Sequence, residues 1–145
     1  MLASTSKTRT ALVFGVMLVN MSILTYIKAV RDRPLVWLHG EIKTPPFSAQ
    51  ARLRTGFLLR MLQQVENLSM PDSRPMPSVG ASCHALRIID QSITWRILYY
   101  LTPDAVVILE VFKKKTRATP KNVLNAARER LSKYRQLTER KDNAE

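Results

Sequence analysis

Lys113, Lys114 and Lys115 stand together, and Arg117 follows them closely. They close the apolar run that begins at Val106 and precede Thr119–Pro120. A surface that needs only solubility mixes charges of both signs. Cations concentrated where a strand runs out point to a polyanion. Arg87 and Arg96 stand in the two apolar-rich segments before this run. Arginine suits phosphate, because its planar fork binds two oxygens and keeps its charge. A lysine crowded by other cations loses its proton more easily and becomes able to accept one. These residue types together support phosphate binding with proton transfer.

Other chemistries find less support. Cys83 is the one cysteine and forms no internal disulfide. His39 and His84 lie far apart, with no cysteine cluster beside them, so no zinc site is expected. Glycine-rich phosphate loops and Gly-x-Ser-x-Gly elbows are absent, which removes support for nucleotide hydrolysis and esterase chemistry. No cofactor is implied. The 23 basic residues exceed the 11 acidic ones, giving a net charge of +12. That excess favours a nucleic acid or an anionic membrane as partner and says nothing about fold.

The elements that position these residues follow from periodicity. Leu35–Leu38 reads as a short strand, closed by Gly40 and Pro45–Pro46. Ser48 to Leu68 reads as a helix with Ser48 as N-cap and an apolar face of Leu53, Phe57, Leu58, Met61, Leu62, Val65 and Leu68. Pro71, Pro75, Pro77 and Gly80 predict a connector without regular structure over 70–82. Three strands follow at His84–Asp90, Ile93–Leu101 and Ala105–Phe112, joined by short turns, so an antiparallel meander is expected. A last helix starts near Pro120, with Val123, Leu124, Ala127, Leu131 and Tyr134 on one face, and the chain from Thr138 reads as a frayed polar tail. The order makes an α+β domain whose sheet packs one face on helices.

Alternation then fixes a register. A two-residue turn at Gln91–Ser92 sets Ile88 opposite Trp95 and Leu86 opposite Ile97, an apolar face that supports the pairing. The same register sets Arg87 opposite Arg96, a repulsion that makes sense if an anion binds there. It also sets His84 opposite Tyr99 on the apolar face, where a packed, hydrogen-bonded histidine is expected rather than a general base. Trp37 and Trp95 read as core. A three-residue turn at Thr102–Asp104 would set Arg96 opposite Glu110, making Glu110 the group that holds Arg96. Tyr100 shares that face as a stacking group, and Lys113 to Lys115 follow at its rim.

Ala11 to Ile27 is 17 mostly apolar residues with basic flanks. Such a stretch is at the lower limit for a membrane span, about 17–25 residues. Three readings stay open: a membrane helix, an extra helix packed on the domain, or an upstream extension with initiation at Met17 or Met21.

Arg74-Pro-Met-Pro-Ser-Val-Gly80, Cys83-His-Ala-Leu-Arg-Ile88, Trp95-Arg-Ile-Leu-Tyr99 and Phe112-Lys-Lys-Lys-Thr-Arg-Ala-Thr-Pro120, in this order, resemble the phage-derived branch of the RelE/HigB-like toxins. Arg33-Pro-Leu-Val-Trp-Leu-His-Gly40 resembles its opening strand. The resemblance runs from Arg33 to Tyr134 and divides the chain into a hydrophobic extension at 1–32, a RelE/HigB-like domain at 33–138 and a polar tail at 139–145. It implies the toxin of a type II toxin–antitoxin pair, a cytoplasmic, metal-independent endoribonuclease acting on mRNA at the ribosome. The partner implied is a helix-turn-helix antitoxin of the Xre type encoded nearby. The resemblance gives Arg96 the role of stabilising charge at phosphorus, with Arg87 beside it, and makes Lys114 and Lys115 phosphate ligands or proton carriers. Lys113, Arg117 and Tyr100 would then contact RNA. The family's pattern has an acidic residue where this chain has Ala85. Two other readings stay open: a non-catalytic basic partner of a helix-turn-helix repressor, and a basic protein tethered to a membrane through residues 11–27.

Overall fold

The computed structural model describes residues 32–38, 42 and 45–144; the readings of Ala11–Ile27 and of His39 lie outside them. The chain divides into two units between Asp32 and Arg33. The second unit holds β1 (Leu35–Trp37), α1 (Ala49–Gln63), β2 (Ser73–Pro75), β3 (Cys83–Asp90), β4 (Ile93–Leu101), β5 (Val106–Lys113) and α2 (Lys121–Ala144). One five-stranded sheet runs in the order β1-β5-β4-β3-β2, with β1 parallel to β5 and every other pair antiparallel. The expected α+β class and the β3–β4–β5 meander are both present. No helix among the described residues is long and apolar enough to cross a membrane.

Helix α1 starts where its sequence says. The Ser48 side chain accepts from the Ala51 backbone N–H at 3.2 Å, satisfying one of the donors that a helix start leaves open. Asp90 at the end of β3 accepts from the Ser48 N–H at 2.9 Å and so anchors this cap to the sheet. The helix stops at Gln63 rather than at Leu68, because Val65 turns to a left-handed backbone, φ 62°. Arg33 covers this end. Its guanidinium donates to the Leu62 carbonyl at 2.9 and 3.1 Å and to the Thr102 carbonyl at 3.1 Å. A cation there satisfies carbonyls that the helix cannot and suits its dipole. The buried face is Ala51, Thr55, Leu58, Leu59 and Leu62. It lies one step around the helix from the expected face: Leu53 is 76% and Phe57 56% exposed.

Both faces of the sheet are covered, not one. On the first face, α1 packs over Leu86, Ile88, Trp95, Ile97, Tyr99, Val106 and Ile108. On the second face, Ala127 and Leu131 of α2, with Met76 and Val79, pack over Cys83, Ala85, Leu98, Val107 and Leu109. Gly80 lets α2 approach closely, since a Cβ there would lie 2.9 Å from Leu131 Cδ2. Arg128 Nε donates to the Ser78 carbonyl at 2.7 Å and fixes the same junction. Helix α2 runs on past Thr138 to Ala144. The Thr138 hydroxyl lies 3.0 Å from the carbonyls of Tyr134 and Arg135, so this polar residue is satisfied inside the helix.

Two further expectations change. The 70–82 connector contains a strand, β2, at the sheet edge, where Arg74 pairs with Ala85 and Pro75 with His84. Proline is tolerated there because an edge strand has one side that needs no ladder donor. The β4–β5 turn is one residue longer than expected. Thr102 N–H donates to the Ala105 carbonyl at 3.0 Å, and its hydroxyl accepts from the Ala105 N–H at 2.8 Å, so Leu101 pairs with Val106. A bulge then leaves Leu109 unpaired between Ile108, opposite Tyr99, and Glu110, opposite Leu98.

Candidate anion-binding site

The β3–β4 register is the one that alternation predicts: Leu86 faces Ile97, Ile88 faces Trp95, and Arg87 faces Arg96. Gln91 makes the tight turn possible by taking a left-handed backbone, φ 57°, which two-residue hairpins require at their first position. Arg87 and Arg96 are half-buried on the second face of the sheet, beyond the part that α2 covers.

The β5 register carries Lys114 to the same place. The Lys114 N–H donates to the Thr94 carbonyl at 2.8 Å, so the ladder continues one residue past the end of β5. Lys114 therefore shares a face with Phe112 and Arg96, while Lys113 takes the other face. Arg87, Thr94 and Arg96 form one side of an open pocket of about 320 Å³, and Lys114, Lys115, Thr116 and Arg117 form the other. Arg74 lies on the same sheet face, one strand further out.

Among the described residues, no carboxylate lies within ion-pair distance of Arg74, Arg87, Arg96 or Lys114. The Nε atoms of Arg74 and Arg96 are buried without a hydrogen-bond partner. Burial lowers the Arg96 pKa, and the charges of Arg74 and Arg87 lower it further. Lys114 is likewise held below the usual lysine range, first by desolvation and then by Arg96, Arg74 and Arg87. Cations held this close without counter-charges form a ready anion site, because an anion relieves the repulsion as it binds.

Glu110 does not hold Arg96. The longer turn and the bulge each shift the register by one residue, so Arg96 faces Phe112 and Glu110 faces Leu98. Two one-residue shifts restore the side of the sheet and lose the position. Glu110 instead accepts from Arg130 of α2 at 2.8 Å, and the same Arg130 nitrogen donates to the Leu109 carbonyl at 2.9 Å.

The family model for phage-derived Gp49-like proteins (DUF891) matches residues 45–132, from the start of α1 into α2. The chain belongs to this family. It is a RelE-like family associated with toxin–antitoxin systems. No curated protein and no solved structure matches the chain.

Within this Gp49-like domain the remaining candidate residues separate. Arg87, Arg96, Lys114, Lys115 and Arg117 line one pocket. Lys113 points away from it, and its ammonium lies 5.9 Å from the Trp95 ring centroid. Tyr100 lies four residues along β4 from Arg96, in a second pocket with Tyr134 and Arg135. The Arg135 guanidinium sits 5.1 Å above its ring. His84 stacks on Tyr99 at 5.3 Å, packed as expected, but its Nδ1 is buried without a partner. Trp95 is core, and Trp37 packs against the same cluster.

Arg74 is the residue that sequence reasoning misses. Its prolines place it in an irregular connector, where side chains have no assigned face. In the structure Ser73, Arg74 and Pro75 alternate, and Ser73 turns to the opposite face to share a 2.6 Å hydrogen bond with Tyr99. Ala85, at the departure from the toxin pattern, is 1% exposed and pairs with Arg74 on one side and Leu98 on the other.

Proposed function

We propose that this Gp49-like protein is the toxin of a type II toxin–antitoxin pair and cleaves mRNA at the ribosome. The reading rests on one observation above the others: Arg87 and Arg96 face each other in an open cationic pocket with no carboxylate paired to either among the described residues. Family membership supports the toxin–antitoxin association. The reaction is attack by the RNA 2′-oxygen on the adjacent phosphorus. A bond forms between them, the bond to the 5′-oxygen breaks, and a 2′,3′-cyclic phosphate and a 5′-hydroxyl result. Arg96 and Arg87 stabilise the charge that develops on the phosphoryl oxygens. Lys114, with its lowered pKa, takes the 2′-proton, Lys115 gives a proton to the departing 5′-oxygen, and Arg117 holds the strand at the rim. Charge stabilisation of this kind carries most of the rate, on the order of 10²–10³ for each donor lost.

Expression without an antitoxin is expected to stop growth and translation, and Arg96→Ala to restore both. In ribosome-containing extract, mRNA should be cut to 5′-hydroxyl and 2′,3′-cyclic phosphate ends, and removal of the ribosomes should abolish the cut. Normal growth with intact protein accumulating would overturn the proposal. Ala85 favours one alternative, a non-catalytic partner of a helix-turn-helix repressor. That reading predicts tight repressor binding and intact mRNA in the same extract.

A further inference from the structure

The cationic surface extends beyond the pocket. Arg74 is outside the residues that line it, yet its charge acts on both Arg96 and Lys114. The register explains this reach. Arg74 pairs with Ala85, two residues along β3 from Arg87 and on the same face, so Arg74 and Arg87 are diagonal neighbours. Ala85 lies in the sheet between Arg74 and Leu98 and carries no carboxylate to neutralise either arginine. The Nε atoms of Arg74 and Arg96 are buried without a partner, so no protein acceptor engages either guanidinium through that atom. Arg87, Arg96, Lys114, Lys115 and Arg117 are far more positive charge than one phosphodiester neutralises, before Arg74 is added.

We infer that Arg74 is a second phosphate-binding residue, and that the substrate strand crosses the sheet from the Lys114–Arg117 rim to the β2 edge. One phosphate fills the pocket between Arg96, Arg87 and Lys114, and the next phosphate of the same strand meets Arg74. The site therefore takes a chain with consecutive phosphates rather than a single phosphodiester. The inference rests on the RNA-binding reading of the pocket and adds a direction and a length to it.

The test compares two probes with the full chain and its Arg74→Gln, Arg74→Lys and Arg87→Gln variants. One probe is a single-stranded hexaribonucleotide, followed by fluorescence anisotropy over a salt series. The other is a dinucleotide with one phosphodiester, followed by NMR shift titration. Arg74→Gln should weaken the hexamer, lower its salt slope by about 0.7, and leave the dinucleotide unchanged. Arg74→Lys should restore most of the slope. Equal loss on both probes would place Arg74 in the first phosphate site and overturn the inference. No loss on either probe, with Arg87→Gln weakening both, would make Arg74 a solvated edge cation. If Arg87→Gln also changes neither probe, the RNA reading of the whole pocket fails.

Discussion

Arg87 lies directly opposite Arg96 across the β3–β4 ladder, and neither has a carboxylate partner among the described residues. Like charges so placed destabilise a sheet by about 0.2–1 kcal/mol. A fold that keeps them trades stability for an anion site. Arg87→Gln is therefore expected to raise stability by up to about 1 kcal/mol while removing the RNA cleavage proposed above. Thermal melts in phosphate and in an inert buffer check this: phosphate should stabilise the native protein more than the variant. A variant less stable than the parent in both buffers would refute the trade.

Lys114 supplies a pH prediction. Its pKa in the folded protein lies below the ordinary lysine value of 10.5 that the unfolded chain keeps. Between those two values the unfolded state binds more protons, so stability rises with pH across that window. Below it the lysine is charged in both states and the folded state carries the repulsion. Lys114→Gln should remove the rise and stabilise the protein at neutral pH. Binding of an oligoribonucleotide should move the Lys114 pKa back upward. NMR titration of the lysine side chains reads both effects, and a Lys114 pKa at or above 10.5 in the free protein would contradict them.

Glu110 separates two registers. Opposite Arg96 it would position a catalytic group; opposite Leu98 it serves Arg130. Glu110→Gln should cost about 1–2 kcal/mol, since it removes the carboxylate charge from a partly buried ion pair. RNA cleavage at a temperature where the variant is folded should stay within a few-fold of the parent. A loss of a hundredfold or more would restore the expected Arg96–Glu110 pair.

Arg33 closes the C-terminal end of α1 on the Leu62 carbonyl and reaches the β4–β5 turn at Thr102. It is 6% exposed, and burial lowers its pKa. Arg33→Met keeps the stem and removes these donors. A loss on the order of 2–3 kcal/mol is expected, because hydrogen bonds to charged groups are the stronger class. Urea unfolding should show a lower midpoint with an unchanged slope. A midpoint within error of the parent would show that solvent satisfies those carbonyls equally well.

Alternation and turn chemistry alone determined the β3–β4 hairpin, its Arg87–Arg96 pair, the Ser48 cap and the class of fold. Each rests on contacts close in sequence, where a two-residue turn admits one register and the apolar pattern confirms it. The basic run at 113–117 likewise marked the cations that line the pocket, and the motif order pointed to a phage-derived, RelE-like family. Tertiary structure decided the rest. A bulge at Leu109 and a longer turn at Thr102 moved Glu110 from Arg96 to Arg130, because one residue in either place changes every pairing beyond it. Pleating sent Lys113 to Trp95 and Lys114 to Arg96, a split that three identical residues cannot reveal. Arg74 joined the site only because β2 adds to the far edge of β3. That pairing depends on long-range backbone hydrogen bonds, and a connector rich in proline carries no local signal for them.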